Sequence, residues 1–336
     1  MHRTSHVLPA PRRSVLAAAP LLLGAVALGA LALAPSSRVD GQDAAPAAAA
    51  ATEFDSKEDA AKALVAAAEK NDDAALTAMA GGAAPDVVLS GTDPQVQKDR
   101  AAFAAAAKKK LTFEENGDRV TLVVGDEAWP FPIPLVKSGE KWRFDAAEGR
   151  EEIRARRIGR NELRSIRACR EFVAAQVRYA AKDRDGDKVR EYAQRLISTA
   201  GQQDGLWWAE TPGGEESPLG DALAPFKDYV SNPAGAPAPF MGYYWRILGA
   251  QGPNAPGGAH TYVINGNMIA GCALLGVPAV HGSTGVMTLM VSHHGTIYQK
   301  DLGPSTLATA QRITAFDPDA TWTAVPAEDL AASTAQ

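Results

Sequence analysis

A long amphipathic segment at residues 147–182 constrains the fold more than any other part of the sequence. Its apolar residues recur at helical spacing and form one stripe, which consists of Leu163, Ile166, Cys169, Val173 and Ala180. The pattern predicts one continuous helix that buries this stripe against another element. The opposite face is rich in arginine, which is typical of a solvated helix surface. Docking of an anionic envelope polymer or a protein partner is the functional alternative for that face.

The segments on either side of the helix have strand patterns. After it come five apolar or alternating runs separated by short turns, at residues 243–248, 262–264, 268–275, 286–291 and 296–300. Before it, three helical segments precede two hairpin patterns, and the first helix opens with a capping-box variant at Ser56. We therefore predict an α+β protein. A small helix-plus-hairpin domain at residues 53–146 precedes a long helix packed on an antiparallel sheet at residues 147–326.

The N-terminus has the pattern of an export signal or an N-terminal anchor at residues 1–35. Arginines precede an apolar run at residues 15–34, as in secretory signals. Residues 36–52 are rich in alanine and predict a flexible tether, and residues 327–336 predict a disordered tail. We expect a periplasmic or extracellular protein, attached to the membrane only if the N-terminal segment is uncleaved. The net charge of −5 gives no electrostatic footprint for nucleic acid.

The chain has two cysteines, Cys169 and Cys272. An oxidising compartment would allow them to pair. Each lies within an apolar helix stripe or strand, however, and that setting favours two separate buried thiols.

The sequence KDRDGDK, at residues 182–188, is the best candidate for a metal site. Calcium takes six to eight oxygen ligands, often from carboxylates at alternate positions. The acidic residues in that pattern are Asp183, Asp185 and Asp187, with Glu191 as a fourth ligand. The alternative is a polar turn that ends one helix and caps a second at residues 189–197.

Two other candidate sites are weaker. The adjacent indoles Trp207 and Trp208, beside a Gly/Pro-rich segment, predict an exposed recognition surface for a sugar or a peptide. The region of His281 and Ser283 offers a hydrolase alternative, although its glycines do not form the nucleophile motif G-x-S-x-G. We therefore assign no catalytic residue.

Five long motifs resemble one bacterial family, catalogued as domain of unknown function 2950. They are WPFPIPLV, GREEIRARRIGRNEL, the DRDGD loop, QGPNAPGGAHTYVINGNMI and STGVMTLMVSHHGTIYQKDLGP. The resemblance covers nearly all of residues 54–326 and implies a bacterial, exported protein, without implying any catalytic residue. Lys188 stands where we expect many relatives to have a glycine after the last aspartate.

The second domain also resembles the soluble part of type IV pilin-like proteins. The similarity lies in a helix that includes Asn161 and Glu162, an Asp/Gly loop, and a sheet that ends in the hairpin HHGTIY. It implies an accessory role in secretion or pilus assembly as a further alternative. The function we predict from the sequence is a non-catalytic binding or scaffolding module of the envelope, stabilised by calcium, whose partner is an envelope protein or polymer.

Overall fold

The computed structural model describes residues 51–81, 94–209, 212–220 and 239–334. The predicted export signal, and the predicted tether up to residue 50, lie outside these ranges. Helices and antiparallel sheets share the described part of the chain, which confirms the predicted α+β class. None of the helices in these ranges is both long and apolar enough to cross a membrane.

The first half of the chain folds as three helices followed by five short strands. These are α1 (Lys57–Lys70), α2 (Asp73–Met79), α3 (Pro94–Lys109), β1 (Leu111–Asn116), β2 (Arg119–Val124), β3 (Trp129–Pro130), β4 (Leu135–Ser138) and β5 (Lys141–Phe144). The strands form an antiparallel sheet in the order β1-β2-β4-β5, and β3 pairs with β2 as well.

Local sequence signals account for the ends of these elements. The Ser56 hydroxyl accepts a hydrogen bond from the Asp59 amide at 3.0 Å, so the predicted cap of α1 is present. The turn at Asn116 and Gly117 closes the β1–β2 hairpin, with Gly117 at a φ of 62°. Buried side chains of α1 and α2 pack with those of β2, β4 and β5 to form a first core.

The long helix α4 spans Ala146–Tyr179, close to its predicted limits. Its N-terminal turns belong to the first core through Ala146 and Ile153. Its C-terminal turns belong to a second core through the buried side chains of Ile166, Cys169 and Phe172. One helix therefore supplies a wall to both cores.

The second sheet has five antiparallel strands in the order β14-β13-β12-β11-β6. They are β6 (Tyr243–Leu248), β11 (Ala273–Pro278), β12 (Met287–Ser292), β13 (Ile297–Asp301) and β14 (Thr323–Ala324). α4 packs on β11 and β12, as its apolar stripe predicts. Two short ribbons flank this sheet, β7 (Ala250–Gln251) with β8 (His260–Thr261), and β9 (Val263–Ile264) with β10 (Asn267–Met268).

Two predicted segments differ in the structure. Residues 189–197 form no helix, because their backbone amides bond elsewhere: Tyr192 donates to the Met268 carbonyl, and Ala193 to the Gln176 side chain. The predicted disordered tail instead contains the helix α6 (Ala327–Ala332), which follows α5 (Thr306–Gln311). Leu330 packs against the second core, and that apolar contact is what orders the segment.

The two cysteines are separate, as predicted. Both thiols are free and buried. Burial raises the pKa of Cys169 far above its ordinary value and that of Cys272 to about 12.

Candidate functional site

The Asp-rich loop brings three of its four predicted ligands together. Carboxylate oxygens of Asp183, Asp185 and Asp187 lie within 4.8 Å of one another, and all three residues are exposed. The fourth, Glu191, is not part of this group within the described residues. Its carboxylate accepts a hydrogen bond from the Met268 amide at 2.9 Å.

Backbone amides of the loop itself hold the aspartates in place. Asp183 accepts hydrogen bonds from Gly186 at 2.8 Å and from Lys188 at 2.9 Å. These bonds hold the pKa of Asp183 below its ordinary value, and the bond from Gly186 contributes most. Asp187 accepts from the Val189 amide at 2.7 Å. The loop therefore keeps its shape through its own turn, and the hard oxygen donors that calcium prefers stand side by side in it.

The loop is also fixed from outside. The Asp187 carboxylate accepts a hydrogen bond from Asn267 at 2.5 Å, and Gln194 donates to the Gly266 carbonyl at 2.6 Å. Both contacts tie the region of the loop to the β9–β10 hairpin. The Arg184 guanidinium lies over the rings of Tyr179 and Trp208 at 4.8 and 5.2 Å and pairs with Glu215 at 3.2 Å.

The two indoles predicted to form a recognition surface are less exposed than expected. Trp208 is buried, 8% exposed, and its Nε1 donates to the Glu215 carbonyl at 2.9 Å. Trp207 is half-buried and packs against the second core. Trp208 is instead covered by the Arg184 guanidinium, which lies 5.2 Å from the centre of its ring. The prediction that both indoles are exposed is therefore wrong, and their role in binding stays a prediction.

The structure gives Ser283 and His281 different hydrogen-bond partners. The Ser283 hydroxyl accepts from the Arg157 guanidinium at 3.0 Å, and His281 Nε2 lies 2.8 Å from a carboxylate oxygen of Asp301. In a Ser-His-Asp triad the serine hydroxyl would instead donate to the histidine. No such bond exists among the described residues.

The structure contains a further site that the sequence did not predict, an apolar cleft in the first half of the chain. Its volume is about 480 Å³. Its walls come from α1, α2, α3, α4, β3, β5 and the segment between β3 and β4. The apolar lining consists of Leu64, Ala68, Leu76, Met79, Ala80, Phe103, Trp129, Phe131, Pro132, Ile133, Phe144 and Ile153.

Three aromatic rings form one wall of this cleft. Phe103 lies 5.4 Å from Phe131 and 6.4 Å from Trp129, and Trp129 meets Phe131 edge-on at 6.1 Å. Trp129 keeps 45% of its surface exposed. Such a cluster offers a rigid apolar face at the protein surface, which is a common property of ligand sites.

The signal for this wall was present in WPFPIP, at residues 129–134. Its alternating prolines cannot donate to a strand ladder, and β3 is a two-residue strand that pairs with the end of β2. The prolines restrict the backbone between Trp129 and Phe131, and α3 brings Phe103 against both rings. The contact of Phe103 with the two rings is long-range in the chain, and it is the contact that turns this motif into a wall of the cleft.

Comparisons with known proteins identify the chain at the level of family. Comparison with curated proteins and with solved structures finds no match. A family model described as "Protein of unknown function (DUF2950)" matches residues 51–325, so both the cleft and the Asp-rich loop lie within the matched region. The chain therefore belongs to the DUF2950 family of proteins of unknown function.

Proposed function

We propose that this protein is a non-catalytic binding module of the bacterial envelope, and that the apolar cleft is its ligand site. The observation that carries the proposal is the aromatic wall, in which Trp129 remains 45% exposed beside a cleft of about 480 Å³. That volume lies in the range of roughly 300–1,000 Å³ typical of small-molecule sites. An exposed apolar surface of this kind costs solubility, and a ligand that covers it explains why it is there.

Binding of a neutral apolar reporter, N-phenyl-1-naphthylamine, tests the cleft. We expect its fluorescence to rise on adding the full chain, and Trp129→Ala to weaken binding by about 1–2 kcal/mol because a stacking surface is lost. Leu307→Ala is the matched control, since Leu307 is 43% exposed and does not line the cleft. Equal binding by the parent protein and Trp129→Ala would show that the reporter binds elsewhere.

Export is supported by the arginines that precede the apolar run at residues 15–34. Fractionation of cells that produce the full chain with a C-terminal tag tests it. We expect the protein in the periplasmic, envelope or extracellular fraction. Recovery in the cytosol would place the ligand there as well and would remove the envelope from the proposal.

We also propose that calcium stabilises the Asp-rich loop, on the basis of three exposed carboxylates within 4.8 Å of one another. A cation would offset their mutual repulsion, and a ligand that binds only the folded state raises the melting temperature. We expect calcium to raise the melting temperature of the full chain relative to chelator, and Asp185→Asn to abolish the rise. Asp118→Asn, an exposed acid in another turn, is the control. No shift in millimolar calcium would leave the loop as a polar turn.

The two alternative functions have separate tests. The hydrolase alternative requires Ser283 to react with a serine-directed fluorophosphonate probe, and it loses its basis if Ser283→Ala labels equally. The pilin-like alternative requires the protein to co-purify with a secretion or pilus assembly. Neither experiment involves the cleft.

A further inference from the structure

Two arginines from neighbouring turns of α4 line the apolar cleft, Arg156 and Arg160. They are four residues apart and therefore lie on the same face of the helix, with Cβ atoms roughly 5–6 Å apart. Arg160 is exposed and has no hydrogen bond or ion pair within the described residues. A guanidinium that has no protein partner and borders an apolar cleft is available to a ligand.

Arg156 is held in a fixed position by three contacts. Its Nε donates to Glu152 at 2.8 Å, its Nη1 donates to the Pro130 carbonyl at 2.8 Å, and its guanidinium lies 5.7 Å from the centre of the Trp129 ring. These contacts orient the guanidinium against the aromatic wall and leave Nη2 without a bond to the described residues. The charge and the apolar wall are thus parts of one site.

Two other charged residues also line the cleft. They are Asp99 and Arg100, one of each sign. Arg100 is 6% exposed, and its guanidinium pairs with Asp73 at 2.5 Å. Arg156 is likewise paired, with Glu152, so Arg160 is the guanidinium of the lining that has no acidic partner among the described residues.

We infer that the ligand of the cleft is a single-chain amphiphile with an anionic head, such as a fatty carboxylate or an alkyl phosphate. This inference rests on the proposed function of the cleft. The alkyl chain lies against Phe103, Phe131 and Ile133, and the head accepts hydrogen bonds from Arg156 and Arg160. Guanidinium groups bind carboxylate and phosphate oxygens with strong, charge-assisted hydrogen bonds.

The charge of the head group distinguishes an anionic amphiphile from neutral and cationic amphiphiles of the same chain length. A neutral amphiphile of the same length gains the apolar contacts but gives the guanidinium groups nothing to neutralise. A cationic one is repelled by them. Since the apolar part is shared, a comparison of heads at constant chain length isolates the contribution of the two arginines.

Displacement of bound N-phenyl-1-naphthylamine from the full chain by four twelve-carbon amphiphiles tests the inference. They are dodecanoate, dodecyl phosphate, dodecanol and dodecyltrimethylammonium, each kept below its micelle-forming concentration. We expect both anions to bind about tenfold more tightly than dodecanol, which is the ratio expected for one charge-assisted hydrogen bond. The tighter of the two anions identifies the head group.

The double variant Arg156→Gln/Arg160→Gln tests the assignment of the head. We expect the ratio of its affinities for dodecanoate and dodecanol to fall from about ten to about one. Arg167→Gln is the matched control. It removes an exposed arginine of the same helix roughly 10 Å further along, and it should keep the preference for anions. The single variant Arg160→Gln alters only an exposed side chain, so it provides the same comparison if the double variant does not fold.

The possible results separate this inference from the proposed function. Equal binding of dodecanol and dodecanoate by the parent would overturn the anionic ligand and leave an apolar binding site. Failure of all four to displace the reporter would overturn both. A preference for anions that survives in the double variant would also overturn the inference, because the head would then bind outside the arginine pair.

Discussion

At the scale of single residues, the Asp-rich loop contains a backbone conformation that its sequence does not favour. Lys188 has a φ of 73°, in the left-handed region, where a side chain clashes with the backbone. Gly186 adopts a similar φ of 82° without this cost. A glycine, which we expect at this position in many relatives, would adopt the conformation of Lys188 without that cost.

We predict that Lys188→Gly stabilises the protein. Relief of the left-handed strain, which costs roughly 1–2 kcal/mol, exceeds the entropy that glycine adds to the unfolded chain, so the free energy of unfolding should rise by about 0.5–1 kcal/mol. Urea denaturation measures the change. Lys188→Ala removes the same side chain but keeps the strain, and it should have no effect. Equal stabilisation by both variants would mean that loss of the lysine charge, and not relief of backbone strain, causes the change.

At the scale of elements, α4 contains two glycines in different surroundings. A Cβ atom on Gly149 would meet Cγ1 of Ile133 at 2.8 Å, whereas one on Gly159 would have no neighbour within 4 Å. Gly149 lets the helix approach the segment that lines the cleft. No contact in the described residues requires a glycine at position 159.

We predict opposite effects for alanine at these two positions. Gly159→Ala should stabilise the protein by about 0.5–1 kcal/mol, because alanine has the higher helix propensity. Gly149→Ala should destabilise it by about 1–3 kcal/mol, because the added methyl group overpacks the contact with Ile133. Thermal or urea unfolding of the two variants checks both signs. If both variants stabilise the protein, the close contact of α4 with Ile133 does not persist in solution.

The elements that the sequence predicts well are those whose signals are local. The limits of α4, the cap at Ser56 and the β1–β2 hairpin all follow from residues that are neighbours in the chain. The three clustered aspartates follow from alternate spacing in one loop. The cleft is different, because Leu64, Phe103 and Trp129 come from separate elements and only packing brings them to one site. Burial of Trp208 also depends on residues that are distant in the chain, so the spacing of residues in the sequence could not predict it.

At the scale of the whole molecule, α4 connects the two cores by belonging to both. Ile153 packs with the first core, and Phe172 is 2% exposed in the second. A helix buried at both ends cannot unfold from one core without leaving a cavity in the other, so the cores should share their stability.

We predict that a cavity in the second core weakens the first. Phe172→Ala should lower the free energy of unfolding by about 3–5 kcal/mol. The free energy of opening measured by hydrogen exchange should fall by the same amount for the β2 amides, in the first core, and for the β12 amides, in the second. Val177→Ala, on the same helix but 62% exposed, should change both by less than about 0.5 kcal/mol. Unchanged protection of β2 in Phe172→Ala would mean that the two cores unfold independently.

The continuity of α4 also sets a distance. Arg156, at the cleft, and Ala180, where the helix ends before the Asp-rich loop, are separated by about 36 Å of helix. Because the helix is rigid, it keeps this distance fixed, and the cleft and the loop cannot approach each other when a ligand binds to either of them. A small molecule therefore occupies one site at a time, and only an extended ligand or a large partner surface can bridge the two.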